Sequence, residues 1–441
     1  CDGTFTEATA ERGLVLPDHP SSDGALQEHG LTVADFDRDG DLDLLVLQWD
    51  TAALADMTAI VDDATGEVGK NICGLARRRR AQDRDQAATP RNRSRLFRND
   101  GTGHFSDVTA ELGLRLDGVA AFTGQFADVT GDAWDDLLVT GDGCTSRVFR
   151  NDGGEGFSDI TEWAGVGTDE NGMGSVVADV DGDSDPDWFV TSIGYPTVDG
   201  RCRWGGQYTG CSGNRLYLNV GDGRFEDATD EFGLRSGWWG WGAAIEDFSG
   251  SGRRDVVMTN GYDPPNSDDN DESRRFFDVF RADPVRYWAM TAEGARDIAP
   301  SIGLDDRRVG HGLVSFDYDG DGALDLLIAS GSEGIRLYRN ERLSGRHWLT
   351  VRLSDPSNPG NRSGDGARVV VRSRAGRSTT GWITTSGSYE SQRLPDFHVG
   401  FGEDDSPASV DVWWPGARSP QIIQRPESDG VLIVARDSGS G

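Results

Sequence analysis

Five stretches of the chain place aspartate, or a hydroxyl in its stead, at positions 1, 3, 5 and 9 of a nine-residue window. In DFDRDGDLD these are Asp35, Asp37, Asp39 and Asp43, and in DVTGDAWDD they are Asp128, Thr130, Asp132 and Asp136. DVDGDSDPD supplies Asp179, Asp181, Asp183 and Asp187; DFSGSGRRD supplies Asp247, Ser249, Ser251 and Asp255. DYDGDGALD supplies Asp317, Asp319, Asp321 and Asp325. Carboxylates packed this tightly repel one another, and a hard cation reverses the sign of that interaction. Ca2+ takes roughly six to eight oxygens at about 2.3–2.6 Å. A carbonyl at position 7 adds one more, and glycine near position 6 lets the chain turn. The expectation is several structural Ca2+ ions. They should bind best at the loops starting at Asp35, Asp179 and Asp317, which have four carboxylates, and least well at Asp247. Mg2+ suits such loops less, because it retains its water.

Each acidic loop is followed by an apolar run: LLVL, LLVT, WFVT, VVMT or LLIA. Out of phase with it runs a second motif, RLFRND, RVFRND, RLYLNV and RLYRNE, from Arg95, Arg147, Arg215 and Arg336, with DVFRAD from Asp278 as a weak fifth copy. A third is FTEAT at Phe5, FSDVT at Phe105, FSDIT at Phe157 and FEDAT at Phe225, with ARDIA near Asp297 as a degraded copy. The repeating unit is therefore four short strands, the pattern of a propeller blade. The count is five, with seven as the alternative. The last repeat stops at Asn340 without its FSDVT strand, while the chain begins with one. The N-terminal strand is thus expected to complete the last blade and close the ring, removing free edges. Insertions at about 50–92, 194–213 and 262–275 all fall between strands two and three, so one face should carry them.

Beyond Asn340 the runs HWLTVRL, ARVVVRS, TGWITTS, SVDVWWP and GVLIVAR alternate and are separated by Gly, Ser, Asn and Pro. They predict a small β-sandwich over 341–437, after an all-β propeller over 1–340. Trp413 and Trp414, before Pro415-Gly416, are expected in its core.

The formal net charge is −32, which excludes nucleic acid as a partner. Arginine supplies nearly every cation, since Lys70 is the one lysine; GC-rich coding and salt adaptation both fit this. Five cysteines point to an oxidising compartment. Cys202 and Cys211 suit a small ring and Cys73 with Cys144 a second bond, though spacing alone does not fix the pairing. Zinc has no CxxC or clustered His to hold it. Cys1 fits a lipid-bearing N-terminus as well as a processing boundary. Any membrane attachment would run through it, because no apolar run spans a bilayer. The expected setting is secreted, periplasmic or lipid-anchored, and the expected state a monomer. ARRRRAQDRD (76–85) and DPPNSDDNDESRR (263–275) read as solvated insertions, and Asn92 and Asn361 begin N-x-S sequons.

The repeats resemble FG-GAP/VCBS repeats of integrin-α-type β-propellers over about 1–340. RNERLSGRHWLTVRL, NRSGDGARVVVRS, SGSYESQRLPDFHVGFG and VDVWWPGARSP resemble the ASPIC/UnbV domain. Together they are similar to the cartilage acidic protein-like family, from which the low blade count and the degraded fourth repeat depart. The resemblance implies adhesion or recognition of a protein or glycan. Members in bacterial natural-product gene clusters imply an alternative, a cofactor-free cyclase or isomerase acting on an apolar small molecule.

No GxSxG, HExxH or phosphate-binding glycine loop appears. Six residues before each acidic loop stand His29, Phe122, Met173, Trp241 and His311, each followed by Gly or Thr. These, with Trp238 and Trp239, would ring a central funnel. There His29 and His311 are the candidate acid and base, and the aromatic faces would steady a cation. A closed axis would argue against the enzyme; an open one with both histidines exposed would favour it.

Overall fold

The computed structural model describes residues 5–16, 27–49, 73, 94–116, 118–194, 212–262, 278, 280–291, 294–331, 333–341 and 345–437. It is all-β, with helices of a single turn among the described residues. None is long and apolar enough to cross a membrane. Cys202, Cys211 and the segments 76–85 and 263–275 lie outside the described residues, as do Cys1 and Asn92.

Five antiparallel meanders follow one another. The first is β1 (Gln27–Ala34), β2 (Asp43–Trp49), β3 (Arg95–Asn99) and β4 (Phe105–Asp107). The second is β5 (Ala120–Ala127), β6 (Asp136–Asp142), β7 (Arg147–Asn151) and β8 (Phe157–Asp159). The third is β9 (Ser175–Ala178), β10 (Asp187–Val190), β11 (Arg215–Asn219) and β12 (Phe225–Asp227). The fourth is β13 (Gly240–Glu246), β14 (Asp255–Asn260), β15 (Arg286–Thr291) and β16 (Gly294–Asp297). The fifth has three strands, β17 (Gly310–Phe316), β18 (Asp325–Ser330) and β19 (Gly334–Tyr338). The inner strands β1, β5, β9, β13 and β17 pack in that order, each on the next. Every acidic loop joins the first and second strands of its meander, and the three insertions do fall between second and third strands.

Two sequence expectations need correction. The third strand of the fourth meander is RYWAMT, not DVFRAD. The reason is spacing: Arg286 pairs with Asp297 (3.2 Å) as Arg95 pairs with Asp107 (3.1 Å) and Arg215 with Asp227 (3.5 Å), a match Asp278 cannot make. Second, the N-terminal FTEAT does not pair with β19. Residues 5–16 form a turn whose hydrogen bonds repeat those after FSDVT, Leu14 N–H to Thr9 as Leu114 N–H to Thr109, both 3.0 Å. That turn docks on the first meander, where Phe105 N–H donates to the Arg12 carbonyl (2.7 Å). Phe5 is left fully exposed.

Apolar cores fill the spaces between successive meanders. Between the first and second, Phe36 and Phe157 lie 5.9 Å apart. Val129, Trp188 and Phe225 help fill the next space, Phe189, Ile245 and Trp288 the third, and Phe248, Tyr287 and Leu326 the fourth.

The C-terminal sandwich has one sheet ordered β23 (Asp396–Gly402), β20 (His347–Ser354), β26 (Gly430–Ala435). The other is β22 (Ser378–Trp382), β21 (Arg368–Ser373), β24 (Pro407–Trp413), β25 (Gln421–Gln424). Trp414 is buried in its core, and Trp413 lies half-buried under Arg368. Asn361 is buried with its amide bonded to Asp365 (2.9 Å and 2.7 Å), so its sequon offers no glycan acceptor. Cys73 and Cys144 form a disulfide, which ties the first insertion to the β6–β7 turn.

Candidate metal sites and the filled axis

The acidic loops share one plan. The position-9 aspartate is buried, and its two oxygens accept from different strands. Asp187 takes Val180 N–H (2.7 Å) from its own loop and Asn219 N–H (2.9 Å) from the third strand; Asp136 takes Val129 N–H (3.0 Å) and Asn151 N–H (2.9 Å). The position-1 aspartate caps the turn: Asp317 accepts from Gly320, Asp321 and Gly322 N–H groups at 2.8–3.1 Å. Burial opposes the charged forms, pushing Asp43 and Asp187 to about 8, Asp136 to about 7 and Asp35 to about 6.

In three loops carboxylate oxygens from three aspartates lie within 4.8 Å of one another: Asp35, Asp37 and Asp39; Asp179, Asp181 and Asp187; Asp317, Asp319 and Asp325. These are the three loops with four carboxylates. Asp43, Asp183 and Asp321 belong to the same loops and complete each set of four carboxylates. In the second loop Thr130 Oγ1 is buried with no partner, which suits a ligand oxygen aimed at a cation. In the fourth, Ser249 and Ser251 bond each other (2.9 Å), and Asp255 accepts from Tyr287 (2.8 Å). A hydroxyl pair and a phenol have taken up the positions where a cation would need free oxygens.

The axis is built by register. In four meanders the inner strand has a bulge or irregularity at the large residue, His29, Phe122, Trp241 or His311, and a bulge re-aims a side chain. The small residue that follows clears the neighbour. A Cβ on Gly30, Gly174 or Gly242 would strike the carbonyl of Phe122, Trp241 or His311 on the next meander. Thr123 instead donates to the Met173 carbonyl (2.9 Å). Threonine at the end of each VT or MT run adds a second clasp to the same carbonyls: Thr140 to Met173 (2.8 Å), Thr191 to Trp241 (2.7 Å), Thr259 to His311 (3.1 Å). Outward along the seam, the RLFRN asparagine reaches back one meander. Asn151 donates to the Phe36 carbonyl, Asn219 to Val129 and Asn340 to Phe248, each at 2.8 Å. Sequence reading caught the motif and missed this role.

The funnel is filled. Phe122, Met173, Trp239 and Trp241 are buried against one another and against Tyr389, which comes from the sandwich. Tyr389 lies 4.8 Å from Trp241, 5.6 Å from Phe122 and 5.6 Å from His311, centroid to centroid. Trp239 stacks on Tyr262 at 4.1 Å, and Trp238 packs edge-on to Phe280. His311 is partly exposed with Nδ1 3.4 Å from the Glu390 carboxylate. His29 lies on β1, and its side chain is outside the described residues.

Tyr389 sits at the tip of SGSYESQ, a hairpin closed by a bridge between Ser386 and Gln392. Gly387 has no room for a Cβ under Ser391, and Glu390 is in the left-handed region (φ 45°). The hairpin touches all five meanders: Ser386 bonds Thr32, Gly387 receives Gln125 (2.8 Å), the Ser388 hydroxyl lies against Gly174 at the start of the third and receives Ala243 N–H (2.9 Å), and Glu390 meets His311. Gly312 faces the Glu390 carbonyl much as Gly242 faces that of His311. The hairpin therefore bridges Gly312 and His311 of the fifth meander to Thr32 of the first. The rest of the sandwich seats on the acidic loops: Gly400 N–H to Asp247 (3.0 Å), Arg377 to Ser251 O (3.0 Å), Thr380 to Ser184 (2.9 Å), Arg393 to Glu246 (3.1 Å).

The family profile described as FG-GAP-like repeat matches residues 128–190, across the loops at Asp128 and Asp179. The profile described as ASPIC and UnbV matches 357–440, including the hairpin. Both matches cover parts of the chain, one within the meanders and one within the sandwich. The chain is similar to cartilage acidic protein 1 of Homo sapiens, 23% identical across 97% of this chain and 75% of that protein. It is 26% and 25% identical to the Xenopus tropicalis and Mus musculus proteins of that name, and spans about half their length, 47% of each. The hairpin thus lies within the stretch that matches ASPIC and UnbV.

Proposed function

We propose that the meanders are the blades of a five-bladed, calcium-loaded propeller, and that the chain is an extracytoplasmic recognition protein. Its binding face is the one opposite the acidic loops, where the three insertions emerge. The calcium is supported by the three convergent carboxylate clusters and by the buried, unpartnered Thr130 hydroxyl. Asp35, Asp37, Asp39 and Asp43, with their counterparts in the other loops, would hold the ions, which would neutralise charges the fold otherwise buries. The compartment is supported by the Cys73–Cys144 disulfide and by relatives named for cartilage.

One observation carries recognition over catalysis: the axis is filled by Tyr389, so insertion loops and not a funnel remain for a ligand. An array of glycans and matrix proteins, probed with Ca2+ and then with chelator, tests this. Binding should be lost when the 50–92 and 194–213 insertions are shortened to tight turns. Binding unaffected by both shortenings would overturn it.

The second reading is a cofactor-free cyclase or isomerase. It is favoured by the His311–Glu390 pair beside a cavity of about 360 Å3 lined by Leu31, Phe122 and Ser391. It requires the hairpin to leave. Turnover of an apolar substrate that disappears in a His29→Ala/His311→Ala variant would establish it.

A further inference from the structure

Among the described residues the fifth meander lacks the fourth strand that every other meander has. The outer edge of β19 is bare, with Ile335 and Leu337 exposed. Beside it lies an apolar groove of about 450 Å3, lined by Phe248, Tyr287, Ile302, Leu324, Leu326 and Tyr338. Its place in the repeat says what shape is missing. In the second meander, Phe157 of FSDIT packs on Phe36 of the preceding acidic loop. Phe248 is the equivalent of Phe36, and the groove lies where a phenylalanine of an F-x-[DE]-x-T strand would sit.

The same chain exposes one such strand. Phe5 of FTEAT is fully exposed, and its trailing turn is held on the first meander by Phe105 N–H to Arg12 O. Arg336, paired with Asp306, and Arg339, paired with Asp319 and Asp321, are each about half exposed and flank the bare edge, and the donor carries Glu7. Elsewhere the motif arginine pairs with the acid at that position, as Arg95 does with Asp107.

We propose that the β19 edge and its groove receive the FTEAT strand of a second copy of this chain. The pairing is antiparallel, in the register of β3 with β4: Asn99 opposite Phe105, Arg98 opposite Ser106 and Phe97 opposite Asp107. This places Phe5 opposite Asn340, Thr6 opposite Arg339 and Glu7 opposite Tyr338. Each copy is donor and acceptor, so a reciprocal pair closes on a two-fold axis. Main-chain bonds along the edge supply affinity and the phenylalanine pocket supplies register. The assembly is a strand-exchanged dimer, not the monomer expected from the sequence.

The test uses the full chain with Thr6→Cys and Arg339→Cys, oxidised in Ca2+-containing buffer beside the unsubstituted chain as control. A covalent dimer specific to the double variant is expected. Light scattering should show a concentration-dependent dimer whose midpoint shifts at least tenfold in Phe5→Asp, a change at an exposed site that leaves the monomer folded. A cross-link within one chain, at monomer mass, would overturn the proposal in favour of self-closure. No cross-link, or a monomer at every concentration, would also overturn it.

Discussion

Four seams join the meanders in order, and a fifth junction, of the last with the first, is made through the SGSYESQ hairpin. The four are made from one code: a glycine or threonine under a carbonyl, with a threonine clasp on three of them and an asparagine reaching back on three. The fifth keeps only the glycine, with Gly312 under the Glu390 carbonyl. Ala329 stands where Thr140, Thr191 and Thr259 stand, and the neighbour it would hold is replaced by Glu390 of the hairpin. The Asn99 side chain, in the first meander, bonds within that meander, donating to Leu42 O (3.2 Å) and accepting from Gly101 N–H (3.2 Å). A repeat can specify every contact with its successor, but not the contact that joins its ends. Here a different domain supplies it.

The largest expected effect separates the acidic loops from everything else. Chelation should lower the melting temperature steeply and excess Ca2+ restore it. An ion at about a hundred times its dissociation constant contributes about 2.7 kcal/mol per site. An unchanged melting curve, with no calcium by elemental analysis, would refute the metal sites.

Next, Tyr389→Ala should cost about 3–5 kcal/mol by emptying the axis. It should also expose the Trp241 cluster to quenchers of tryptophan fluorescence. Loss of stability without added quenching would mean that the hairpin acts elsewhere. Gly242→Ala, in an ordinary seam, should cost about 1–3 kcal/mol through collision with the His311 carbonyl. Gly312→Ala, at the fifth seam, should cost less, since its Cβ would meet Glu390 O at 3.1 Å. Equal costs would erase the distinction between the seams.

Without calcium, acidity should help. Burial holds Asp43 and Asp187 at about 8, against about 4 in an unfolded chain. The folded state therefore binds more protons between those values, and stability falls as pH rises from about 4 to about 8. In chelator the melting temperature should be higher at pH 6 than at pH 8. Saturating Ca2+ should flatten or invert that slope. The smallest effect is a gain: Met290 occupies the asparagine position in the fourth meander, so Met290→Asn should add a clasp to Val180 O worth about 0.5–1.5 kcal/mol. Denaturant midpoints would register it.

What was legible in the sequence follows the same division. The acidic loops, apolar runs and strand order could be read because each repeats within one meander. The three best carboxylate clusters were ranked by counting aspartates alone. The RYWAMT strand was missed because it lacks the asparagine, the motif's most distinctive residue, while DVFRAD mimicked its letters at the wrong distance from Asp297. The axial residues were found by position, but what fills the space between them was not. SGSYESQ shows no periodicity or charge pattern that points to Trp241 or Gln125, and its partners lie in another domain. The bare β19 edge was likewise invisible, since the strand meant to cover it is present in the sequence and placed elsewhere in the fold.

The hairpin also fixes a timetable. Thr32 and Ser386 meet across 354 residues. Contacts of such separation form late, after the loop they close has been made. On the ribosome the meanders emerge first and in order, so all five stand with an open axis until SGSYESQ has been synthesised. Through that interval the aromatic cluster is wet and the inner strands lack their last partner. A chain cut short before Ser386 would keep every repeat and still be an aggregation-prone intermediate.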